Sequence, residues 1–515
     1  MDKDNVNTYP QPDRWSFLWL VILVCLASLF PAQVQARQAD PDFSSVDPYI
    51  EAQMKELHIP GLALAVVQGD QAAYVQGYGK AGPGKGPVTP QTSFMIGSTT
   101  KAFTALAIMQ LVEAGKIELD TPVQAYLPWF RVADEQASAQ ITVRHLLNQT
   151  SGFSNAAGLK EEVAHDLSDN AIETSVRRLA EVGLVRSPGA AHEYSNVNFS
   201  ILGLIVQTVS GQSYESYIQE HIFDPLEMGH SFTSQDKATK NGMSSGYITW
   251  LGFRLPVNVP FNRGNLPNGF LICSGEDMAH YLIALLNAGR YGNVSVLSPE
   301  GMAAMHQPAV PSDTPGEYYG MAWYVGEDDG VKAVFHTGEN SNFQTFIIML
   351  PDEKLGVAVM MNVDGLPVKA RAEYIAKGVM ALVKGKQPQP YAAATNQMFF
   401  LAIGSVIVPV AVALLWISWT VYRFIRRRKL GIPARRSAWW YIWVIVLPLI
   451  VDIGLLLVLL AGIPSLWGLP LGGMALFFAD MFTLVALSVA ALGVWGLART
   501  LLTLKQAKSQ PQASL

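Results

Sequence analysis

Three long apolar stretches near the C-terminus constrain this chain most. They cover residues 398–422, 439–461 and 474–498, each close to the ~20 residues a helix needs to cross bilayer hydrocarbon. Lipid offers the backbone no hydrogen bonds, so such segments must fold as helices. Arg423, Arg426, Arg427, Arg428, Lys429, Arg435 and Arg436 lie between the first two. The excess of cations places that loop in the cytoplasm. The loop 462–473 carries no charge and belongs outside; the tail with Arg499, Lys505 and Lys508 returns inside. Trp439, Trp440, Tyr441 and Trp443 suit an interfacial belt. Asp452 and Asp480 interrupt the second and third spans, toward their outer half. An acid there either joins helices through a polar contact or faces the bundle or the underside of an outer domain in a functional role.

The N-terminus agrees with this topology. Residues 15–30 are apolar apart from Ser16 and Ser28, and Ala36 follows at a plausible cleavage point. That pattern reads as a secretory signal. The leader before it balances Lys3 and Arg14 against Asp2, Asp4 and Asp13, so a retained anchor is the alternative. The chain then divides into a signal or anchor (1–36), a soluble domain (37–383), a linker (384–397), a three-helix membrane domain (398–505) and a cytoplasmic tail (506–515). Residues 37–397 are expected outside the cytoplasm.

Composition removes several classes of function. The net charge is −5 and charged residues are 15%, which does not suit nucleic acid. The two cysteines are Cys25, inside the first apolar run, and Cys273, so no internal disulfide is expected. The nine histidines show no metal-ligand spacing, and no metal is expected.

Within the soluble part, Ser98-Thr99-Thr100-Lys101 precedes the apolar run Ala102 to Met109. In a helix, residues i and i+3 share one face, so the Lys amine can reach the Ser oxygen as base to nucleophile. About two such S-x-x-K matches are expected by chance in a chain this long. The second, Ser234-Gln235-Asp236-Lys237, lies in a polar stretch with no apolar helix behind it. Gly97 before the first copy permits close backbone approach. A lysine with reference pKa ~10.4 needs a downward shift of about 3.4 units to act as a base at neutral pH, roughly 4–5 kcal/mol. Burial and a neighbouring donor or cation can supply it.

Hydropathy patterning gives the organisation around that segment. Residues 43–57 read as an amphipathic helix, and 61–67 and 72–79 as strands joined at Gly69-Asp70. Residues 141–230 read mostly as helix, 245–262 as extended, and Ser274-Gly275-Glu276-Asp277 as a capping box opening a helix through Leu286. Residues 319–363 alternate like a run of strands. Strands at both ends with helices between predict one sheet built from both termini plus a helical insertion.

Three motifs together resemble the serine β-lactamase and penicillin-binding-protein superfamily: Ser98-Thr99-Thr100-Lys101, Tyr194-Ser195-Asn196 and His336-Thr337-Gly338. Their order and spacing are similar to the class C β-lactamase branch, over approximately residues 43–383. His58-Ile59-Pro60-Gly61, the stretch Leu146 to Gly152, and Ser274 to Asp277 match as well. The resemblance implies an α+β fold: an antiparallel sheet flanked by helices plus a helical lobe, here followed by three transmembrane helices. It implies Ser98 as the acylated nucleophile, Lys101 as its base and Tyr194 as proton shuttle. Asn196 would hold the Lys and the substrate amide. His336, Thr337 and Gly338 would lie on an edge strand that pairs with substrate. The backbone N–H groups of Ser98 and Glu339 would form the oxyanion hole. No cofactor is implied.

Two departures from the family pattern stand out. His336 replaces the Lys of many relatives, and a neutral imidazole is a poorer partner for a substrate carboxylate. Gln149 stands where relatives often carry His and reads as a structural turn.

The layout also resembles membrane-bound peptidases that remove an N-acyl-D-asparagine cap in nonribosomal peptide pathways. That likeness implies a multi-pass protein of the bacterial cytoplasmic membrane with a periplasmic catalytic domain. It places Asn340 at a contact to the D-Asn side chain, with Asn265 opposite. The expected partners are a small peptide-like or acylated substrate, membrane lipid, and an exporter that delivers the substrate. The alternatives are an esterase or β-lactamase of the same family, or a non-catalytic β-lactam-binding sensor that keeps its acyl group.

Overall fold

The computed structural model describes residues 43–162, 166–250, 253–365, 371–389, 397–430, 438–467 and 471–509. The apolar run at 15–30, Cys25 and Ala36 lie outside these residues, as do Arg435, Arg436 and part of the linker and tail. Among the described residues Cys273 is a buried free thiol.

Gly69, at φ 65°, turns the chain between Gly61–Gln68 and Gln71–Gly79. The two strands pair antiparallel, and Gly61–Gln68 pairs on its other edge with Leu355–Met361. One eight-stranded sheet results. Its order is Gln71–Gly79, Gly61–Gln68, Leu355–Met361, Phe343–Leu350, Val331–Asn340, Trp323–Asp328, Tyr318–Gly320 and Val310–Pro311. The first and last thirds of the soluble part thus share one sheet, as the patterning predicts.

Alternate residues of the strand Gly61–Gln68 face two different cores. Leu62, Leu64 and Val66 pack with the helices Val46–Leu57 and Arg371–Val383. Ala63, Ala65 and Val67 pack toward the helical lobe. Burial on both faces explains the unbroken apolar run. The helix Thr100–Glu113 lies inside the lobe core, with every residue from Thr100 to Met109 buried. A helix that is apolar all round belongs in an interior, and this one holds Ser98 and Lys101 at its start. Helix Gly275–Leu286 is capped by Ser274, whose hydroxyl accepts from the Asp277 N–H. The Asp277 carboxylate accepts from His230 N–H and the Ser231 hydroxyl, which ties the helix start to a neighbouring loop.

Among the described residues, three helical runs are long and apolar enough to cross a membrane: Gly404–Lys429, Ala438–Leu466 and Ala479–Lys505. Their boundaries correct the sequence reading in three places. Arg423 to Lys429 extend the first helix rather than forming the loop. Met474 belongs to a separate short helix, Leu471–Phe477. Arg499 is inside the third span, not in the tail, and is 5% exposed. Asp452 lies near the middle of the helical run Ala438–Leu466. It accepts from Arg499 at 2.5 Å and from the Trp416 indole at 2.8 Å. Gly496 makes room: a Cβ there would stand 2.7 Å from the Asp452 carboxylate. Asp452 therefore joins all three spans.

Removing one member of a buried ion pair strands the other charge, at a cost of about 3–5 kcal/mol. Asp452→Ala should lower the stability of the detergent-solubilised protein by that order. The double replacement Asp452→Leu with Arg499→Leu should recover most of the loss, read from SDS or thermal unfolding of the helices.

Candidate active site

Gly97 adopts φ 54° and begins a 3-10 turn, Gly97–Thr99, that runs into the helix Thr100–Glu113. The Thr99 hydroxyl locks the turn by donating to Ile96 O at 2.6 Å. Ser98 is half-buried on this turn, while Lys101 is fully buried on the first helical turn. Lys101 Nζ donates to Ser98 Oγ at 2.9 Å and to the Asn268 carbonyl at 2.7 Å. The same nitrogen lies 5.0 Å from the centroid of the Tyr194 ring and 5.7 Å from that of Phe199. Ring faces favour the cation, so Lys101 is held by a carbonyl, a hydroxyl and two aromatics. The second S-x-x-K copy opens a six-residue helix, Gln235–Lys240, with Ser234 as its N-cap.

The second motif is positioned by a residue the sequence reading set aside. Gln149, at φ 56° and fully buried, accepts from the Ser195 N–H at 3.0 Å and from the Asn198 amide. The Ser195 hydroxyl donates to Ser154 O at 2.8 Å. Gln149 thus does more than turn the chain: it fixes the loop that presents Tyr194. Asn196 is the N-cap of helix Val197–Ser210 without using its side chain for the cap.

The third motif lies on strand Val331–Asn340. The sequence reading expects an edge strand, and the topology corrects this. The strand is internal, between Phe343–Leu350 and Trp323–Asp328. Its pairing with Trp323–Asp328 stops at Phe335, however, while its pairing with Phe343–Leu350 continues to Asn340. Met321 and Ala322, both at positive φ, turn the neighbouring strand away there. The half that carries His336 to Asn340 is therefore flanked by a strand on one side.

That half meets the nucleophile turn at van der Waals limits. A Cβ on Gly338 would lie 2.0 Å from Ile96 O, and one on Gly97 would lie 2.5 Å from the Glu339 backbone N. The Glu339 N–H is thereby brought beside the Ser98 turn. Thr337 is exposed and Glu339 half-buried.

His336 is 1% exposed. Its Nδ1 is 2.6 Å from Thr337 O. A carbonyl only accepts, so Nδ1 carries the hydrogen and Nε2 the lone pair. Burial, aided by the nearby Lys101 charge, pushes the imidazole pKa down to about 3. At neutral pH the ring is neutral. Its neighbours are Tyr194, Tyr319 and Tyr324, with centroids 5.6–6.5 Å away.

The two asparagines expected at the substrate lie deeper. The Asn340 amide donates to Gly269 O at 3.2 Å, and the residue is 8% exposed. Asn265 is 1% exposed and accepts from the Asn268 amide at 3.3 Å. Both are engaged with the turn Leu266–Gly269, which also supplies the Asn268 carbonyl to Lys101. Asn268, Gln149 and Phe199 are the contributors that motif reading misses. They act through a carbonyl, a buried amide and a ring face, none of which has a spacing rule.

Comparison with known proteins identifies the family and the fold. Residues 46–380 match the Beta-lactamase family, and the chain belongs to that family. Its members include penicillin-binding-protein homologues and are usually serine hydrolases. Protein flp of Staphylococcus aureus (strain MW2) is 30% identical over 332 residues, 64% of this chain and 65% of that protein. The chain thus spans about 65% of that relative's length. Penicillin-binding protein 4 of Amycolatopsis lactamdurans is 29% identical over 61% of this chain and 83% of its own. The octameric penicillin-binding protein homologue from Pyrococcus abyssi superposes with TM-score 0.60 and 32% identity, covering 68% of this chain and 79% of that one. A class C beta-lactamase shares the fold at TM-score 0.57 and 20% identity, over 67% of this chain and 95% of its own.

Two outcomes follow from these contacts. Gly338→Ala, whose Cβ would meet the Ile96 carbonyl oxygen at 2.0 Å, should force the strand and the Gly97–Thr99 turn apart and lower the thermal unfolding midpoint followed by circular dichroism. His336 lowers stability in acid. Its neutral folded form is fully favourable above the unfolded pKa near 6.5 and loses ground as pH falls toward 3, by about 1.4 kcal/mol per pH unit. The urea midpoint should therefore drop between pH 7 and 5, and His336→Gln should reduce that drop.

Proposed function

We propose that this chain is a membrane-anchored, extracytoplasmic serine hydrolase that works through an acyl-enzyme on Ser98. Its preferred substrate is an amide next to a D-residue in a small peptide-like or acylated molecule. The observation that carries this reading is the buried Lys101 amine at 2.9 Å from Ser98 Oγ with its second contact on the Asn268 carbonyl. A neutral amine in that position keeps a hydrogen on Asn268 O and turns its lone pair to the Ser98 hydroxyl.

The steps follow from those contacts. Ser98 Oγ attacks the substrate carbonyl carbon while its proton passes to Lys101 Nζ. The carbonyl oxygen becomes an oxyanion beside the N–H groups of Ser98 and Glu339. The proton reaches the leaving nitrogen through Tyr194, whose ring lies against Lys101, and the C–N bond breaks. Water then attacks the ester carbonyl by the reverse route, releasing the acid and restoring Ser98.

Neutral His336 favours substrates without a carboxylate at that point and weighs against ordinary β-lactams. A D-asparaginyl cap remains one candidate acyl group. Asn340 already holds Gly269 O, so its recognition of such a cap would use the opposite end of its amide.

A fluorophosphonate or penicillin probe should label the wild type and leave Ser98→Ala unlabelled, with Lys101→Ala slowed at least 10²-fold. Equal labelling of Ser98→Ala would sink the nucleophile assignment. Release of the penicilloyl group within minutes would mark a β-lactamase; retention for hours would favour the sensor. N-acyl-D-Asn and N-acyl-L-Asn amides test the D-residue reading, which indifference to chirality would overturn.

A further inference from the structure

A ribbon, Tyr247–Trp250 paired with Phe253–Pro256, forms with the short parallel strand Val363–Asp364 a three-stranded sheet separate from the main one. Paired residues in such a ribbon share a face. Trp250 pairs with Phe253 and Ile248 with Leu255, so four apolar side chains form one face. Phe253 is 67% and Leu255 38% exposed. The opposite face is polar and bonded to the domain. Arg254 there donates to Thr249 Oγ1 at 2.8 Å and to His58 O at 3.0 Å. The domain has therefore used one face; on the apolar one Ile248 and Trp250 are half-buried while Phe253 and Leu255 are exposed.

The ribbon also touches the third long helix. The Trp250 indole N–H donates to Thr483 Oγ1 at 3.0 Å. Thr483 is four residues into the span that begins at Ala479, or about 6 Å along it at ~1.5 Å per residue. That is the depth at which amphipathic elements rest in the interfacial layer and where Trp is enriched in membrane proteins. Asp480, in the first turn of the same helix, acts on Arg254 electrostatically. The exposed face is thus level with the mouth of a membrane span.

The base of the ribbon adjoins the candidate site. Val257 N–H donates to Gly246 O at 3.0 Å, and the Asn342 amide donates to Val257 O at 2.8 Å. Gly246 approaches so closely that a Cβ there would lie 2.3 Å from Asn342 Nδ2. Asn342 is in the turn that follows the strand carrying His336 to Asn340.

We propose that the apolar face of this ribbon seats in the outer interfacial layer of the bilayer, and that the adjoining candidate site takes substrates dissolved in that layer. Such substrates are amphiphiles: a polar amide or ester head on a long acyl or other apolar group. The placement rests on the three long helices spanning a bilayer. The substrate class rests in addition on the Ser98 hydrolase reading.

Two measurements on the full chain in phosphatidylcholine vesicles test it. In a Cys25→Ser background, a polarity-sensitive fluorophore on Phe253→Cys should be quenched by doxyl-labelled lipid at least twofold more than one on exposed Ser295→Cys. Equal quenching overturns the placement, whatever the enzyme does. Phe253→Asp with Leu255→Asp should lower kcat/KM at least tenfold on a long-chain N-acyl amide held in vesicles. On the short-chain, water-soluble analogue it should stay within twofold of wild type. Equal loss on both, or loss on neither, overturns the substrate class. If the wild type turns over neither amide, the hydrolase reading and the substrate class both fall, and the quenching result stands alone.

Discussion

Two backbones meet at Gly97 and Gly338 with no space for a side chain on either. The rest of the soluble domain can be understood from that contact. It requires the nucleophile turn to enter at positive φ, which sets the angle at which the helix Thr100–Glu113 leaves. That helix points into the lobe core and so must be apolar on every side. The strand carrying Gly338 must end its pairing with Trp323–Asp328 at Phe335, or a neighbouring strand would lie where the turn arrives. Packing, topology and the placement of the Glu339 N–H beside Ser98 are consequences of one close approach.

The chemistry of the site comes from polar groups within this dry surrounding. Lys101 is held by a carbonyl and a hydroxyl, with Tyr194 and Phe199 against it. His336 cannot compete for charge, because burial and the Lys101 field keep it neutral. A neutral ring at position 336, where the family resemblance leads one to expect Lys, gives this site one positive charge fewer. The difference is long-range enough to bear on which substrates bind, because few water molecules can screen it at a buried position.

Much of this arrangement is legible in the residues themselves. The strand Gly61–Gln68 announces itself because both its faces are buried, and the hairpin turn at Gly69-Asp70 because of its composition. Ser98, Lys101, Tyr194 and His336 are readable because each is a chemically distinctive residue in a short motif. What pattern cannot carry is the contribution of ordinary residues through backbone or buried amides. Asn268 serves by its carbonyl, and Gln149 by an oxygen that binds the Ser195 N–H from 46 residues away. The strand of the third motif reads as an edge because its local sequence says nothing about where a partner strand stops. In the membrane part, hydropathy locates the helices but cannot pair Asp452 with Arg499 or set Arg499 inside a span.

The sheet joins residues 61–68 to 355–361, and the close backbone contact joins Gly97 to Gly338. The Ser98–Lys101 pair forms locally, but its surroundings do not exist until about 240 further residues have been made. A nascent chain in this interval has a strand with one open, strongly apolar edge and a nucleophile with no substrate strand beside it. Such edges invite wrong pairing, and long-range closure is slow. Late assembly thus leaves the Ser98–Lys101 pair without its facing strand until the residues around Gly338 have joined the sheet.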